Sequence, residues 1–218
     1  MKISILTSIL LLFMVCGLSA QRRFYPKSFF GGYVGVNVSG FYGDYQSNIE
    51  GESGKFRLRT QYGLFGNIYF QQNISLYLGL DLIFKGALTK GYEYPAGNEI
   101  SYIAKTNLTA LSLPVLFNYT PQKALGLMLG PQLSYVFSAN EPWYKSDIYK
   151  PENYQENVLY KFNQITVDGV FAVNYSLYSG VTFQFRYTLS LMPIVKDDYG
   201  NARSSSFLFY VGYVFTKP

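Results

Sequence analysis

Residues 74–86 read Ile-Ser-Leu-Tyr-Leu-Gly-Leu-Asp-Leu-Ile-Phe-Lys-Gly, and this stretch decides the fold. Every even-numbered position from Ile74 to Phe84 is a large apolar residue, whereas the odd-numbered positions include Ser75, Asp81 and Lys85. Successive side chains of a β-strand point to opposite faces, so this strict alternation predicts a strand with two different environments. No helical period of 3.6 residues competes with it after the first twenty residues.

The same alternation recurs along the chain. Eight segments show it, at roughly 29–40, 59–70, 74–86, 107–119, 124–137, 162–175, 180–190 and 204–215. Three of the connections are tight, at 71–73, 120–123 and 176–179, and the other four are long and polar, near 41–58, 87–106, 138–161 and 191–203. Short turns that alternate with long loops are typical of outer-membrane barrels, whose turns face the periplasm. We therefore expect an all-β fold, an eight-stranded antiparallel up-and-down transmembrane β-barrel with short periplasmic turns and four longer extracellular loops.

The distribution of charge separates a membrane barrel from a soluble barrel of the lipocalin type, which also alternates. None of the apolar-face positions carries a charge, and the few that are not apolar include Gly32, Gly66, Gly169 and Pro131. In a lipocalin the opposite face would meet water and be rich in Lys and Glu. Here that face has small and uncharged polar residues, which suit the cramped interior of a small barrel. The apolar face is therefore expected to contact lipid.

Four charges lie on the predicted lumen face: Asp81, Lys85, Asp168 and Arg186. Counted from the tight turns, Asp81, Asp168 and Arg186 fall at similar heights. An unpaired charge would be poorly solvated in a narrow lumen, so we expect a structural cluster in which the Arg186 guanidinium lies between the two carboxylates. Lys85 is expected to join this cluster or to reach the mouth of the barrel.

The first twenty residues have the pattern of an export signal. Lys2 precedes an uncharged run from Ile3 to Val15, and Ala20 is a small residue before the expected cleavage point. This pattern predicts a signal peptide at 1–20, a short periplasmic segment at 21–28 and an outer-membrane barrel at 29–218. Lipidation of Cys16 is the alternative, although the residues before it lack the expected small side chain.

The composition removes most catalytic chemistry. The chain has 218 residues, of which 49% are apolar and 14% charged, with no His and with Cys16 as its one cysteine. The Ser-His-Asp and Cys-His arrangements and the common zinc sites are therefore absent, and we expect neither an enzyme nor a cofactor or metal. The net charge of +5 is spread over loops that also carry acids, so no nucleic acid partner is expected. Residues 197–201 hold oxygen ligands for calcium but are interpreted as a hairpin tip.

Several stretches resemble the PorT-like outer-membrane barrels of Bacteroidota. They are Gly35-Val36-Asn37, 80–86, Leu113-Pro114-Val115-Leu116, 129–135, Phe185-Arg186-Tyr187 and 211–215. The resemblance implies an integral outer-membrane barrel, and the family's named member is tied to type IX secretion.

Two classes of function remain open. One is a non-catalytic accessory or scaffold subunit of an envelope assembly for secretion, barrel insertion or uptake. The alternative is a stand-alone surface barrel whose loops bind a ligand or another cell. A channel is the weakest option, because eight strands enclose a lumen filled by side chains. Expected partners are outer-membrane lipid, other envelope proteins and the barrel assembly machinery during insertion. The candidate partner-binding loop is 138–161, which contains Trp143, Tyr144, Tyr149, Tyr154 and Tyr160.

Overall fold

The chain folds into strands joined by turns. The computed structural model describes residues 28–43, 51–93, 100–122, 124–145 and 155–215. The strands are β1 (Phe29–Tyr42), β2 (Gly51–Gln71), β3 (Ile74–Glu93), β4 (Ile100–Gln122), β5 (Leu125–Lys145), β6 (Gln155–Asn157), β7 (Ile165–Ser176), β8 (Val181–Ser190) and β9 (Arg203–Val214). Short 3₁₀ helices occupy Leu159–Lys161 and Asp197–Tyr199. Within these described ranges no helix has the length and apolar character needed to cross a membrane.

The strands form a closed ring. Antiparallel pairing runs in the order β4-β3-β2-β1-β9-β8-β7-β5, and a further pairing of β4 with β5 closes the sheet. β6 extends the ring locally by pairing with residues 140–142 of β5. The predicted eight-stranded antiparallel barrel is thereby confirmed.

The two ends of the barrel differ in their connections. The tight connections β2–β3, β4–β5 and β7–β8 lie at one end, here the turn end, together with the start of β1 and the end of β9. The other end, here the loop end, carries the longer connections at 43–50, 94–99, 146–164 and 191–202. This arrangement matches the turns and loops predicted from the sequence.

Four strands are longer than the alternation indicated. β2 already begins at Gly51, β3 continues to Glu93, β4 begins at Ile100 and β5 continues to Lys145. Most of the predicted loop 87–106 and part of loops 41–58 and 138–161 are therefore strand. The backbone ladder continues there although the apolar alternation has ended, because a strand that leaves the membrane has no need of an apolar face. β2–β5 consequently project beyond the other strands as a wall at the loop end.

The polarity of the two faces of the sheet is reversed relative to a soluble protein, because apolar residues lie on the outside and polar residues on the inside. Leu80, Leu129 and Phe209 are 43%, 65% and 52% exposed on the outside. Polar residues such as Asn37 and Ser112 are fully buried on the inside. Exposed aromatic residues mark the turn end, where an aromatic belt is expected in membrane barrels: Phe30, Phe70, Tyr119, Tyr178, Tyr213 and Phe215. The apolar band is therefore the surface that faces lipid.

Depth in the membrane sets how strongly a charge on this face destabilises the barrel. Leu78 is an outward residue several positions from the turn, and Ile74 is an outward residue at the start of the same strand. We predict that Leu78→Arg lowers the free energy of unfolding by about 2–4 kcal/mol, whereas Ile74→Arg costs about 0–1 kcal/mol. Urea unfolding in lipid vesicles measures both. Equal losses would contradict a lipid-facing band.

Candidate functional site

The lumen contains a buried ion pair between β8 and β3. Nη1 of Arg186 lies 2.6 Å from Oδ2 of Asp81, and the two side chains are 1% and 0% exposed. Nη2 of Arg186 donates to the Tyr77 hydroxyl at 3.0 Å, and Gln61 donates to Oδ2 of Asp81 at 3.3 Å. Gln61 also donates to the Tyr33 hydroxyl at 2.7 Å, so the amide ties the carboxylate to the aromatic ring. These hydrogen bonds stabilise the buried pair in part, since Oδ1 of Asp81 and Nε of Arg186 have no hydrogen-bond partner among the described residues.

Aromatic rings surround the Arg186 guanidinium. Its central carbon lies 5.7 Å from the ring centroid of Tyr77 and 6.0 Å from those of Tyr33 and Tyr210. Tyr33 and Tyr210 stack with centroids 3.9 Å apart. These distances allow cation–π attraction from several rings at once. The aromatic layer therefore stabilises the cation and fills the cross-section of the lumen.

Gly63 provides the space in which the Asp81 carboxylate lies. A Cβ at this position would collide with Oδ1 of Asp81 and would come within 2.7 Å of Cζ of Tyr33. At Gly66, three residues later on the same strand, the nearest atom to such a Cβ is a backbone oxygen 3.5 Å away. The close approach of β2 to the ion pair thus requires a residue without a side chain at 63.

A second ion pair lies nearer the loop end. Nζ of Lys85 is 3.1 Å from Oδ2 of Asp168. Ser190 donates to Oδ1 of Asp168 at 2.6 Å, and Gln132 and Ser134 lie within hydrogen-bond distance of Oδ2. This carboxylate is therefore held by one cation and three neutral donors. Its hydrogen bonds span β3, β5, β7 and β8, which fixes strands from both sides of the barrel.

The four predicted lumen charges are thus brought inside, but their pairing differs from the expectation. Arg186 does not lie between two carboxylates, because Asp168 pairs with Lys85 instead. The reason is the register of β7 and β8, in which Asp168 is opposite Ser190 and Arg186 is opposite Ala172. Asp168 therefore lies four residues nearer the loop end than Arg186. Counting heights from residues within the turn, rather than from the first bonded pair, produced the error.

An apolar cap closes the loop end above the two ion pairs. The β5–β7 connection supplies Val158 and Phe162, and the β8–β9 connection supplies Ile194 and Val195, all 5% exposed or less. They pack with inward residues of the strands in one buried cluster. The side-chain amide of Asn163 donates to the carbonyls of Pro193 and Val195 at 3.1 and 2.9 Å. The two connections are therefore joined to each other across the mouth.

This cap differs from the expectation of polar loops for both connections. The predicted strand 162–175 begins only at Ile165, because Phe162 belongs to the cap. The signal was present in the apolar pairs Val158-Leu159 and Ile194-Val195, which are unusual in a solvated loop. Two further charged residues, Glu141 and Lys161, are buried at this end at 0% and 2% exposure.

The aromatic residues of the candidate partner-binding loop do not belong to a single loop. Trp143 and Tyr144 belong to strand β5, where they are opposite Ala104 and Ile103 of β4. Tyr149 and Tyr154 lie outside the described residues. Tyr160 is 49% exposed beside the cap, and its ring meets that of Tyr199 edge-on with centroids 5.8 Å apart. Only Tyr160 is therefore described as an exposed aromatic of this segment.

Inward side chains fill the lumen at several levels. Two ion pairs, an aromatic layer and an apolar cap occupy successive levels of the lumen. In the part of the chain that the structure describes, no group of His, Cys, Asp and Glu residues is placed to hold a metal ion. Among the described residues of the strands, the four lumen charges Asp81, Lys85, Asp168 and Arg186 are paired with one another.

The pairing can be tested with double-mutant cycles. We predict that Arg186→Ala and Asp81→Ala each cost about 3–5 kcal/mol, because each leaves a buried charge unpaired. The double variant should recover part of the loss, with a coupling energy of about 0.5–3 kcal/mol. Arg186→Ala combined with Asp168→Ala serves as the control and should be additive within about 0.5 kcal/mol. Urea unfolding provides the free energies, and strong coupling in the control pair would contradict the two separate ion pairs.

The barrel is similar to several solved structures. Neisserial surface protein A is 13% identical with a TM-score of 0.48, covering 86% of this chain and 99% of its own. Ail of Yersinia pestis is 10% identical with a TM-score of 0.45, covering 87% and 100%. OprG from Pseudomonas aeruginosa is 13% identical with a TM-score of 0.44, covering 88% and 97%.

No curated protein sequence matches this chain significantly. A family model does match it, and the match extends over residues 19–196, which is most of the chain. The matched family is described as an outer membrane protein beta-barrel domain. The chain therefore belongs to the outer membrane protein beta-barrel family.

Proposed function

We propose that this protein is a non-catalytic outer-membrane barrel that acts through its outer wall and its extracellular end, as an accessory or scaffold subunit of an envelope assembly. The observation that supports this most is the filled lumen, in which Arg186–Asp81 and Lys85–Asp168 are buried beneath the apolar cap. A barrel filled in this way gives a solute no path along its axis. Its contacts with other molecules are therefore made from outside. The lack of any His agrees with a role without catalysis.

We also propose a route by which the chain reaches the membrane. Residues 1–20 are removed as a signal peptide, residues 21–28 form a short periplasmic segment, and the barrel assembly machinery inserts 29–218. Within the wider family the PorT-like group is the proposed subfamily, on the basis of stretches such as 80–86 and 211–215. A scaffold for secretion, barrel insertion or uptake is the role that this group membership favours.

The projecting wall favours a second candidate, a stand-alone surface barrel whose extracellular end binds a ligand or another cell. β2–β5 extend beyond the apolar band, and Tyr160 is exposed beside the cap. Exposed aromatic side chains are enriched at protein interfaces. Both candidates therefore use the same end of the barrel, but they differ in whether the partner belongs to the same membrane.

Purification without crosslinking separates the two candidates. The protein is extracted from its native membrane in mild detergent, and the eluted species are identified by size and mass spectrometry. A scaffold subunit is expected to elute with one or more envelope proteins in fixed ratio. Elution as a lone barrel would contradict the scaffold role and favour the stand-alone surface protein.

A pair of tyrosine variants then locates the interface. Tyr160 is exposed at the extracellular end and Tyr178 is exposed in the β7–β8 turn at the periplasmic end. We expect Tyr160→Ala to weaken the complex and Tyr178→Ala to leave it intact. Loss of the complex with Tyr178→Ala alone would place the interface at the periplasmic end instead.

A further inference from the structure

A proline leaves a gap in the ladder between β3 and β4. The register of this ladder does not shift, yet residues 79–80 of β3 are not paired with residues 113–114 of β4. Proline has no N–H group, so Pro114 cannot donate a hydrogen bond to the carbonyl of Gly79 opposite it. On its other side Pro114 remains paired with Gln132 of β5. The gap is therefore a missing bond in a ladder that is otherwise in register.

A second gap lies next to the first, on the other side of β4. Residues 115–116 of β4 are not paired with residues 130–131 of β5, although the register is the same before and after this gap. Pro131 cannot donate to the carbonyl of Val115. Its pairing with Gly169 of β7 is retained. Within four consecutive residues, β4 thus loses one ladder bond toward β3 and the next toward β5.

A third proline repeats the pattern at the loop end. Residues 105–106 of β4 are not paired in the ladder with residues 141–142 of β5, while Pro142 keeps its pairing with Gln155 of β6. The pairings of the β1–β2, β1–β9, β5–β7, β7–β8 and β8–β9 ladders run without such a gap. Proline is therefore the common cause of the three interruptions along β4.

The two adjacent gaps lie within the apolar band, whereas the third lies beyond it. Next to the third gap the outward residue of β4 is the polar Asn107. Around the adjacent gaps the outward residues are apolar and 42–53% exposed: Leu111, Leu113, Val115 and Phe117. The hydrocarbon core has no water to replace a lost donor. The carbonyls of Gly79 and Val115 are therefore without their ladder bond at a depth where water does not compensate.

Glycine occupies the lumen side of each of these two gaps. A Cβ at Gly79 would lie 2.6 Å from Cγ of Pro114. A Cβ at Gly130 would collide with the carbonyl oxygen of Val115 and would lie 2.9 Å from Cα of Leu116. The close approach of the strands thus requires a residue without a side chain at both positions. The neighbouring strands are consequently joined here by fewer side-chain contacts as well as by fewer ladder bonds.

The energetic cost of separating the strands is reduced at this point. Opening a regular ladder in lipid leaves both groups of every broken bond without a partner, which opposes the opening. At 113–116 one carbonyl on each side of β4 has already lost its donor, so separation creates fewer new unpaired groups than in a continuous ladder. Leu116 and Met128, which are 0% and 1% exposed, lie on the lumen side here, and the surface uncovered toward lipid is therefore apolar.

We propose that residues 113–116 of β4 are a hinge in the membrane-spanning wall. At this hinge β4 separates from β3 and β5 toward lipid, while the other ladders remain closed and the two ion pairs of the lumen remain in place. Segments with the fewest backbone bonds and contacts open at the lowest free energy, and such local openings occur in microseconds or more slowly. β4 continues from the hinge into the projecting wall, so the opening lets this part of the wall move relative to the turn end.

Nuclear magnetic resonance of the wild-type barrel in lipid nanodiscs tests the hinge without any variant. Relaxation dispersion of the backbone amide ¹⁵N nuclei detects exchange between states in the microsecond-to-millisecond range. We expect dispersion at Gly79, Val115 and Leu116, and flat profiles at Val170 and Phe185, which lie in the continuous β7–β8 ladder. Flat profiles at all five positions, or equal dispersion at all five, would overturn the proposal.

Replacing a proline restores the missing donor. Pro131→Val supplies an N–H group opposite Val115 and keeps an apolar side chain on the lipid face, so it is expected to lower the population of the open state about two- to tenfold, as one hydrogen bond returns. Pro142→Ala is the matched control, since it restores a donor in the same strand outside the apolar band. Faster gel migration before boiling than after it verifies that each variant is folded. Unchanged dispersion at Val115 in folded Pro131→Val, or an equal decrease with Pro142→Ala, would contradict the hinge.

The carbonyl ¹³C chemical shifts test the cause of the hinge separately. A carbonyl that accepts a hydrogen bond resonates at higher chemical shift than one that does not. Pro114→Ala is expected to move the Gly79 carbonyl to higher shift and to leave that of Val115 in place, whereas Pro131→Val is expected to do the reverse. Movement of neither carbonyl, or of both with each variant, would show that the prolines do not cause the two gaps and would refute the hinge.

Discussion

The satisfaction of backbone hydrogen bonds in lipid is the constraint on which the rest of this structure depends. The hydrocarbon core has no water to bind an exposed N–H or C=O group, so a sheet that crosses it must close on itself. Pairing of β1 with β9 and of β4 with β5 achieves this closure. Where the β2–β3 ladder fails, side chains of Asn37 and Ser39 take over the backbone groups of β3. These side-chain contacts therefore meet the same requirement locally.

Closure with only eight strands determines what the lumen holds. An eight-stranded barrel is just wide enough for its inward side chains to fill it. Because the outer face is given to lipid, the polar residues are the ones left inside, and each buried charge needs a partner. Arg186 with Asp81 and Lys85 with Asp168 meet this need at two levels. At these two levels the lumen is thus filled by the barrel's own side chains.

The sequence predicted the parts of the fold that depend on periodicity. Alternation in stretches such as 74–86 identified the strands, their lipid face and the inward position of Asp81 and Arg186. It did not predict where β2–β5 end, because strands outside the membrane need no apolar face. It also misassigned the partner of Asp168, since the pairing depends on the bonded register of β7 and β8 and not on sequence distance from the turn. The cap joins segments far apart in sequence, and no local pattern encodes that contact.

Electrical recording in planar lipid bilayers tests most directly whether the lumen is sealed. The purified mature barrel is inserted, its folded state is verified by faster gel migration before boiling, and current is recorded under an applied voltage. We expect a bilayer without stepwise increases in conductance, because ion pairs, aromatic rings and the cap fill the lumen. Reproducible conductance steps of constant size, present with the folded barrel and absent from detergent alone, would contradict it.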